Sequence, residues 1–396
     1  KKHKKQLSGG NECLALTPNA SMPIWPSIFI GAGPPASNLH SLSRLLRIPA
    51  GAALLAALLF GSQQAAFAQQ VEAETSAPFT ISMLETVRTR GYVICAATNP
   101  LPGFAQVSPE GLWSGFDVDL CRAVAAAIFG DPSRVEFRPL SGQSRFAHLT
   151  MGEVDLVVRN SPWTMSRDTQ YGATYVATSF FDGQAFMVPD RLGVVSAYEL
   201  EDVTICVASN SDSSRRLEEF FFFNQLGYDE LLYEDREDLA VAYRSGECDT
   251  ITGSASWLQA IRRSMPDPGS HSILPERLSK EPYGPVVRSD DVQWEAIVRR
   301  TLYALINAEE YGVTSVNIES MMSARTPAIR RLLGVEDDVG EDIGLRTTWM
   351  RDVIRSVGNY GEIYSRHFGA AAGTPLLRGQ NALWLNGGLM YAPPVY

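Results

Sequence analysis

The sequence predicts an α/β protein of two lobes. Each lobe is an open sheet of its own, a two-segment hinge joins them, and extra C-terminal helices follow. Two observations carry this. The first is an internal repeat: Ile94-Cys95-Ala96-Ala97-Thr98 is echoed by Ile205-Cys206-Val207-Ala208-Ser209. Further on, Gly152-Glu153-Val154-Asp155 is echoed by Gly246-Glu247-Cys248-Asp249, in the same order. Each copy opens with an apolar strand ending on a small hydroxyl residue, then returns through G-E-x-D into another strand. The second is the alternation of short apolar strands with amphipathic stretches, the pattern of an open α/β sheet.

In chain order, residues 1–43 are rich in Pro, Gly, Ser and Asn and do not begin with Met. They read as upstream translation or an unusually long leader. The apolar run Ile48–Gly61 follows Arg44 and Arg47 and precedes Ala66-Phe67-Ala68. It is shorter than the ~20 residues a spanning helix needs. Basic flank, apolar stretch and A-x-A together make a secretory signal cut after Ala68; a buried core helix is the alternative. Residues 1–68 are therefore assigned to leader and signal.

In the first copy Tyr92–Thr98 reads as a buried strand. Asp117 is expected to cap a helix to Ile128, stopped by Gly130 and Asp131-Pro132. Val135–Leu140 is a strand, Arg145–Met151 a short helix and Asp155–Arg159 a strand. In the second copy the order is Val203–Ser209, a helix capped by Asp212 or Ser213 through Phe223, then Glu230–Tyr233. Leu239–Tyr243 follows as helix, Thr250–Thr252 as strand, and Ser254 caps a helix from Trp257 to Arg263. Asp182–Val188 and Arg277–Val287 cross between the halves. Lobe 1 is thus 69–184 plus 285–396, and lobe 2 is 185–284. Val292–Glu310, a shorter helical pair over 315–335 and a long helix Thr347–His367 are expected on lobe 1. The tail Asn381–Tyr396 reads as irregular.

Charge narrows the function. Of the net −10, residues 1–68 contribute +5 and the remainder −15, a body that repels nucleic acid and anionic membrane. No G-x-x-x-x-G-K-[ST] loop, G-x-S-x-G elbow or H-E-x-x-H motif occurs, and no carboxylates form a recognisable spaced pair. The exported part holds His148, His271 and His367, scattered, and no C-x-x-C, so a zinc site is not expected. Neither a catalytic set nor a cofactor is expected, and binding is the favoured class. In open α/β sheets ligands sit beyond the carboxyl ends of the strands. The candidate loops are therefore Thr98–Phe104, Asn160–Arg167, Ser209–Ser213 and Gly253–Ser256.

Several stretches carry a family resemblance: GFDVDLCRAVAAAIFGD (115–131), GEVDLVVRN (152–160), WTMSRD (163–168), FFDGQAFMVP (180–189), SKEPYGPVVR (279–288), LYALINAEEYGVTS (302–315) and NALWLNGGLMYAPP (381–394). Together they resemble the periplasmic component of general L-amino-acid ABC transporters, within the polar amino-acid solute-binding proteins. The resemblance spans residues 80–394. It implies a type II-like periplasmic binding fold, a small amino-acid-like ligand captured between the lobes, an inner-membrane ABC permease as partner, and a monomer. Arg167 matches the arginine that forks onto the ligand carboxylate, and Arg145 an arginine that can face the pocket. Thr98 and Ser161 are further ligand candidates. Leu101 and Phe104 match apolar positions of the first loop that either wall the pocket or belong to the core. A sensor feeding a membrane receptor is an alternative reading, and a small dehydratase with Asp212 as base a remoter one.

Three positions depart from the family pattern. Pro162 stands for a Thr, Asn210-Ser211-Asp212 for G-T-T, and Ser254 for the Asp that pairs with the ligand ammonium. Altered specificity is expected from this, unless Asp212 turns away or pairs with Arg167 or Arg215. Four cysteines remain after export, with three connectivities open; four buried free thiols are the alternative to bonding. Because the repeat puts two cysteines in each lobe, and a cross-lobe bond would tether the hinge, Cys95–Cys121 and Cys206–Cys248 are the expected pairs.

Overall fold

The computed structural model describes residues 82–396 except 98–100, 141–143, 210 and 373–374. The leader and signal assigned to residues 1–68 lie outside the described residues.

Strands are numbered in chain order. The first sheet runs β4 (Val135–Pro139), β1 (Val93–Ala97), β5 (Leu156–Val157), β14 (Val286–Arg288), β6 (Ala173–Tyr175). The second runs β10 (Tyr228–Tyr233), β9 (Val203–Ala208), β11 (Thr250–Ser254), β8 (Gln184–Pro189), β12 (His271–Ile273). The two sheets share one plan. In each, the first strand of the copy pairs in parallel with two neighbours, and the strand beyond them is antiparallel. Two further pairs are β7 (Phe180–Asp182) with β13 (Glu281–Tyr283), and β2 (Gln106–Val107) with β3 (Trp113–Ser114).

The repeated G-E-x-D does the same structural work twice. Asp155 accepts from the Ile94 N–H at 2.6 Å while its own N–H donates to Ile94 O at 2.9 Å. Asp249 accepts from the Thr204 N–H at 3.0 Å and donates to Thr204 O at 2.8 Å. Each aspartate satisfies an amide at the start of the first strand and sets the register of the third. Cys95 and Cys121 are joined by a disulfide of 2.06 Å, and Cys206 and Cys248 by one of 2.01 Å.

Several boundaries differ from the sequence reading. Asp117 is not a cap. The helix runs Phe116–Phe129 from Gly115, whose φ is 140°. A Cβ there would lie 2.0 Å from the Phe104 carbonyl oxygen, so only glycine fits the close approach. Gly130 ends this helix in the left-handed conformation. In the second sheet Ser211 is the N-cap, and Asp212 opens the helix Asp212–Asn224. The next helix is longer than Leu239–Tyr243. Asp235 accepts from the Glu237 N–H and starts it at Arg236, and it runs to Ser245. Ser254 occupies the cap position of Ala255–Ser264, but its side chain makes no capping bond.

Thr347–His367 is not one helix. Gly358, with φ 86°, breaks it into Trp349–Val357 and Tyr360–His367, and Asn359 with Glu362 forms a capping box at the restart. Both pieces and Val292–Glu310 pack on Phe116–Phe129 in the first-sheet core. Trp294 anchors the longest helix through its indole N–H to Asp155 O at 2.9 Å. Among the described residues no helix is long and apolar enough to cross a membrane.

The two sheets are connected through β7 and β13, where the outgoing and returning chains pair. This places the crossing a few residues earlier than Asp182–Val188, because Gln184–Pro189 is already a strand of the second sheet.

Candidate ligand-binding site

Arg159 lies two residues beyond β5, past Val158, at the carboxyl end of a fully buried strand. A charged residue there is carried by the sheet to its edge. Its guanidinium donates to Leu140 O at 2.8 Å, and its Nε is buried with no partner among the described residues. Beside it lies Arg145, only 6% exposed. Its guanidinium stands 4.5 Å from the Phe146 ring centroid, and its Nε is also unpartnered. Burial, and then the charges of Arg159 and Arg167, push the Arg145 guanidinium down to about 10. Arg167, on the short helix Met165–Gln170, donates to Pro162 O at 2.7 Å. The Tyr175 hydroxyl donates to the same oxygen at 3.2 Å.

Three guanidiniums therefore gather where β5 ends. The carboxyl group acting on Arg159 is Asp117, buried, with Oδ2 unpartnered among the described residues. Desolvation outweighs the pull of Arg159 and raises Asp117 to about 8. It thus keeps its proton at neutral pH and offsets little of the positive charge. The loop carrying the cluster is tied to the crossing segment. Trp163 N–H donates to Pro282 O at 2.8 Å, and Pro162 bridges to Tyr283. Trp163 stacks on Tyr175, with centroids 5.4 Å apart and planes at 8°. Pro162 removes a donor, but its carbonyl orients Arg167.

The other predicted residues divide as follows. Ser161 is buried in the Arg159–Pro162 turn, its N–H donating to Arg159 O at 2.7 Å. Leu101 is partly buried against the core and bridges to Ala105. Phe104 is core, not pocket wall: it is fully buried, with ring contacts to Phe116, Phe180, Tyr283 and Phe368. Thr98 and Asn210 lie outside the described residues. On the second sheet the Ser211 hydroxyl donates to Ala208 O at 2.6 Å. Asp212 is 70% exposed and accepts from Arg215 at 3.1 Å, with Arg216 at 3.9 Å. Its charge is met by its own helix, the condition that leaves a ligand carboxylate tolerable. Ser254 ends β11 opposite Gln184.

Sequence reasoning missed Arg159, Asp117, Tyr175 and Arg216. Arg216 stands 3.7 Å from Glu281 of β13 and so ties the second-sheet helix to the crossing. A signal for Arg159 was present: an arginine closing the apolar run 156–158.

With this geometry established, known proteins place the chain. The family of bacterial extracellular solute-binding proteins, family 3, matches residues 93–315. The general L-amino acid-binding periplasmic protein AapJ of Rhizobium johnstonii is 43% identical over 333 residues, covering 84% of this chain and 98% of that protein. The glutamate/glutamine/aspartate/asparagine-binding protein BztA of Rhodobacter capsulatus is 46% identical over 314 residues, covering 79% and 93%. An ABC transporter/periplasmic binding protein from Brucella ovis, solved with glutathione bound, superposes with a TM-score of 0.71 at 43% identity, covering 80% and 99%. The paired sheets, the crossing strands and these matches agree: the chain belongs to the bacterial extracellular solute-binding proteins, family 3.

Proposed function

We propose that the chain is the periplasmic solute-binding component of an amino-acid-type ABC transporter. It captures a small amino-acid-like ligand between two lobes and delivers it, as a monomer, to an inner-membrane permease. The single observation that carries this is the cluster of Arg145, Arg159 and Arg167 at the carboxyl end of β5, in a chain of the solute-binding family. A planar guanidinium suits a carboxylate because two N–H groups can meet two oxygens. The names of the relatives AapJ and BztA support an amino-acid ligand and a periplasmic site of action. Export through residues 1–68 fits that compartment, as do two disulfides.

Lobe 1 comprises 69–184 with 285–396, and lobe 2 comprises 185–284. The β7–β13 pair is the hinge about which they close. Thr98, Leu101, Arg145, Ser161 and Arg167 serve the ligand from lobe 1. Asn210, Ser211, Asp212 and Ser254 serve it from lobe 2. The role is binding without catalysis. Because Asp212 is paired with Arg215, ordinary amino acids remain compatible ligands, and the Ser254 hydroxyl offers the ammonium an acceptor in place of a carboxylate. The test is a thermal-shift screen of the common L-amino acids. A ligand at one hundred times its Kd stabilises by about 2.7 kcal/mol, a rise of several degrees. A screen with no stabilising amino acid would refute the proposal.

A further inference from the structure

The paired hinge strands have two edges. On one, β13 carries the loop of Arg167, through Trp163 N–H to Pro282 O and the Pro162–Tyr283 bridge. On the other, β7 meets the C-terminal tail, where the Asn381 side chain takes both the N–H and the carbonyl of Phe181. At this second edge lies a cavity of about 340 Å³, walled by Phe180, Phe181, Pro275, Arg277, Leu376 and Gln380. Arg277 is partly buried. Its Nη1 donates to the carbonyl oxygens of Leu274, Pro275 and Glu276 at 2.9, 3.1 and 3.0 Å, while its Nε and Nη2 have no partner among the described residues. Two of the three guanidinium nitrogens are therefore left for an occupant, and such a pair meets two oxygens at once. Asp182 also borders the cavity, but its oxygens are taken by the Gly183 N–H and by the Ser256 and Tyr283 hydroxyls. Glu276 is held by the Ser196 hydroxyl at 2.6 Å and the Ala197 N–H at 2.9 Å. Burial holds the Arg277 guanidinium below its ordinary value, and the charges of Asp182, Tyr364 and Glu276 offset this only in part. A cation taken partly out of water with no paired anion carries a cost that a bound anion removes. Gln380, exposed at the rim, adds a side-chain amide that has no partner among the described residues.

We propose that this cavity is a second binding site, for a small organic carboxylate, on the edge of the hinge strands away from the Arg167 loop. Arg277 takes the carboxylate and the Gln380 amide closes over it. Phe180, Phe181, Pro275 and Leu376 take a short apolar end, which favours an organic acid over inorganic phosphate, since phosphate buries no apolar surface. The occupant touches the outgoing strand, the returning segment and the tail at once, so it braces both crossings of the hinge. The site stands whether or not the chain is an amino-acid receptor.

The experiment is calorimetric titration of the full chain with butyrate, with 1-butanol and inorganic phosphate as comparisons. Wild type is expected to bind butyrate with a Kd on the order of 1 mM, as suits so few heavy atoms, and at least about tenfold more tightly than either comparison compound. Arg277→Gln removes the charged donor and should weaken butyrate at least about tenfold. Arg167→Met, on the other edge, should leave butyrate within about twofold of wild type. Gln380→Glu, at an exposed residue, sets a charge against the carboxylate and should weaken butyrate at least about fivefold with the unfolding midpoint unchanged; it carries the test if Arg277→Gln does not fold. No butyrate binding, 1-butanol or phosphate bound as tightly as butyrate, or a butyrate affinity that survives both Arg277→Gln and Gln380→Glu overturns the site. Loss of butyrate binding in Arg167→Met assigns the acid to the arginine cluster and overturns it as well. Butyrate binding that depends on Arg277, in a chain that binds no amino acid, upholds this site and refutes only the receptor reading.

Discussion

Replacing Asp182 with Asn tests how the hinge is held. Asp182 ends β7 and is fully buried. It accepts from Gly183 N–H at 2.8 Å, from Tyr283 Oη at 3.2 Å and from the Ser256 hydroxyl. These partners come from β13 and from the helix after β11, so one carboxyl knits the hinge strands to the second sheet. Desolvation is the largest influence on it. Glu281 adds to the rise while the Ser256 and Gly183 bonds and Arg277 oppose it, leaving Asp182 raised to about 6. The folded protein then holds this proton more tightly than the unfolded chain, where a carboxyl titrates near 3.9. Stability from this group is full below about pH 4, declines as pH rises, and is lost above about pH 6. The ionised form costs about 3 kcal/mol, from roughly two pKa units at 1.36 kcal/mol each. About 2 kcal/mol of that is crossed between roughly pH 4.5 and pH 7.5. Asn keeps the carbonyl acceptor, and the Ser256 and Tyr283 hydroxyls can rotate to accept from its amide. Urea unfolding of both proteins at the two pH values measures the effect. Asp182→Asn should gain about 2 kcal/mol relative to wild type on going from the lower to the higher pH. Stability profiles that stay parallel would refute the burial argument.

Three further outcomes are expected. Arg167→Met should weaken a carboxylate ligand about 100-fold by calorimetry, since it removes a charged donor, while leaving the unfolding midpoint nearly unchanged. Cys206→Ser with Cys248→Ser opens a loop with a sequence separation of 42 and should cost about 4 kcal/mol in urea unfolding; Cys95→Ser with Cys121→Ser, at a separation of 26, should cost slightly less. Asn381→Ala removes two bonds to the backbone of β7, from Phe181 N–H at 2.7 Å and to Phe181 O at 2.8 Å. It should destabilise by about 2 kcal/mol, and a midpoint within error of wild type would deny the C-terminal tail its grip on the hinge strand.

How much was legible from sequence follows from what each feature depends on. The two-sheet plan was readable because Ile94–Thr98 and Ile205–Ser209 are continuous apolar runs, and because G-E-x-D recurs where a carboxylate must cap a neighbouring strand. The helix stop at Gly130 was readable because glycine is the residue that accepts the left-handed turn. Caps were misplaced at Asp117 and Asp212. An acidic residue before an apolar face looks the same whether it caps the helix or sits one residue inside it. The break at Gly358 was hidden because apolar positions continue in phase on both sides. At the candidate site, Arg167 was proposed through its motif. Arg159 and Asp117 were not, because desolvation and convergence depend on the packing of β5 against Phe116–Phe129, which no local spacing encodes.

The most direct test is isothermal titration of the purified chain with the common L-amino acids. The account predicts saturable one-to-one binding of at least one of them. Absence of heat for every amino acid, or tightest binding of a cationic one such as L-arginine, would contradict a site built on three arginines.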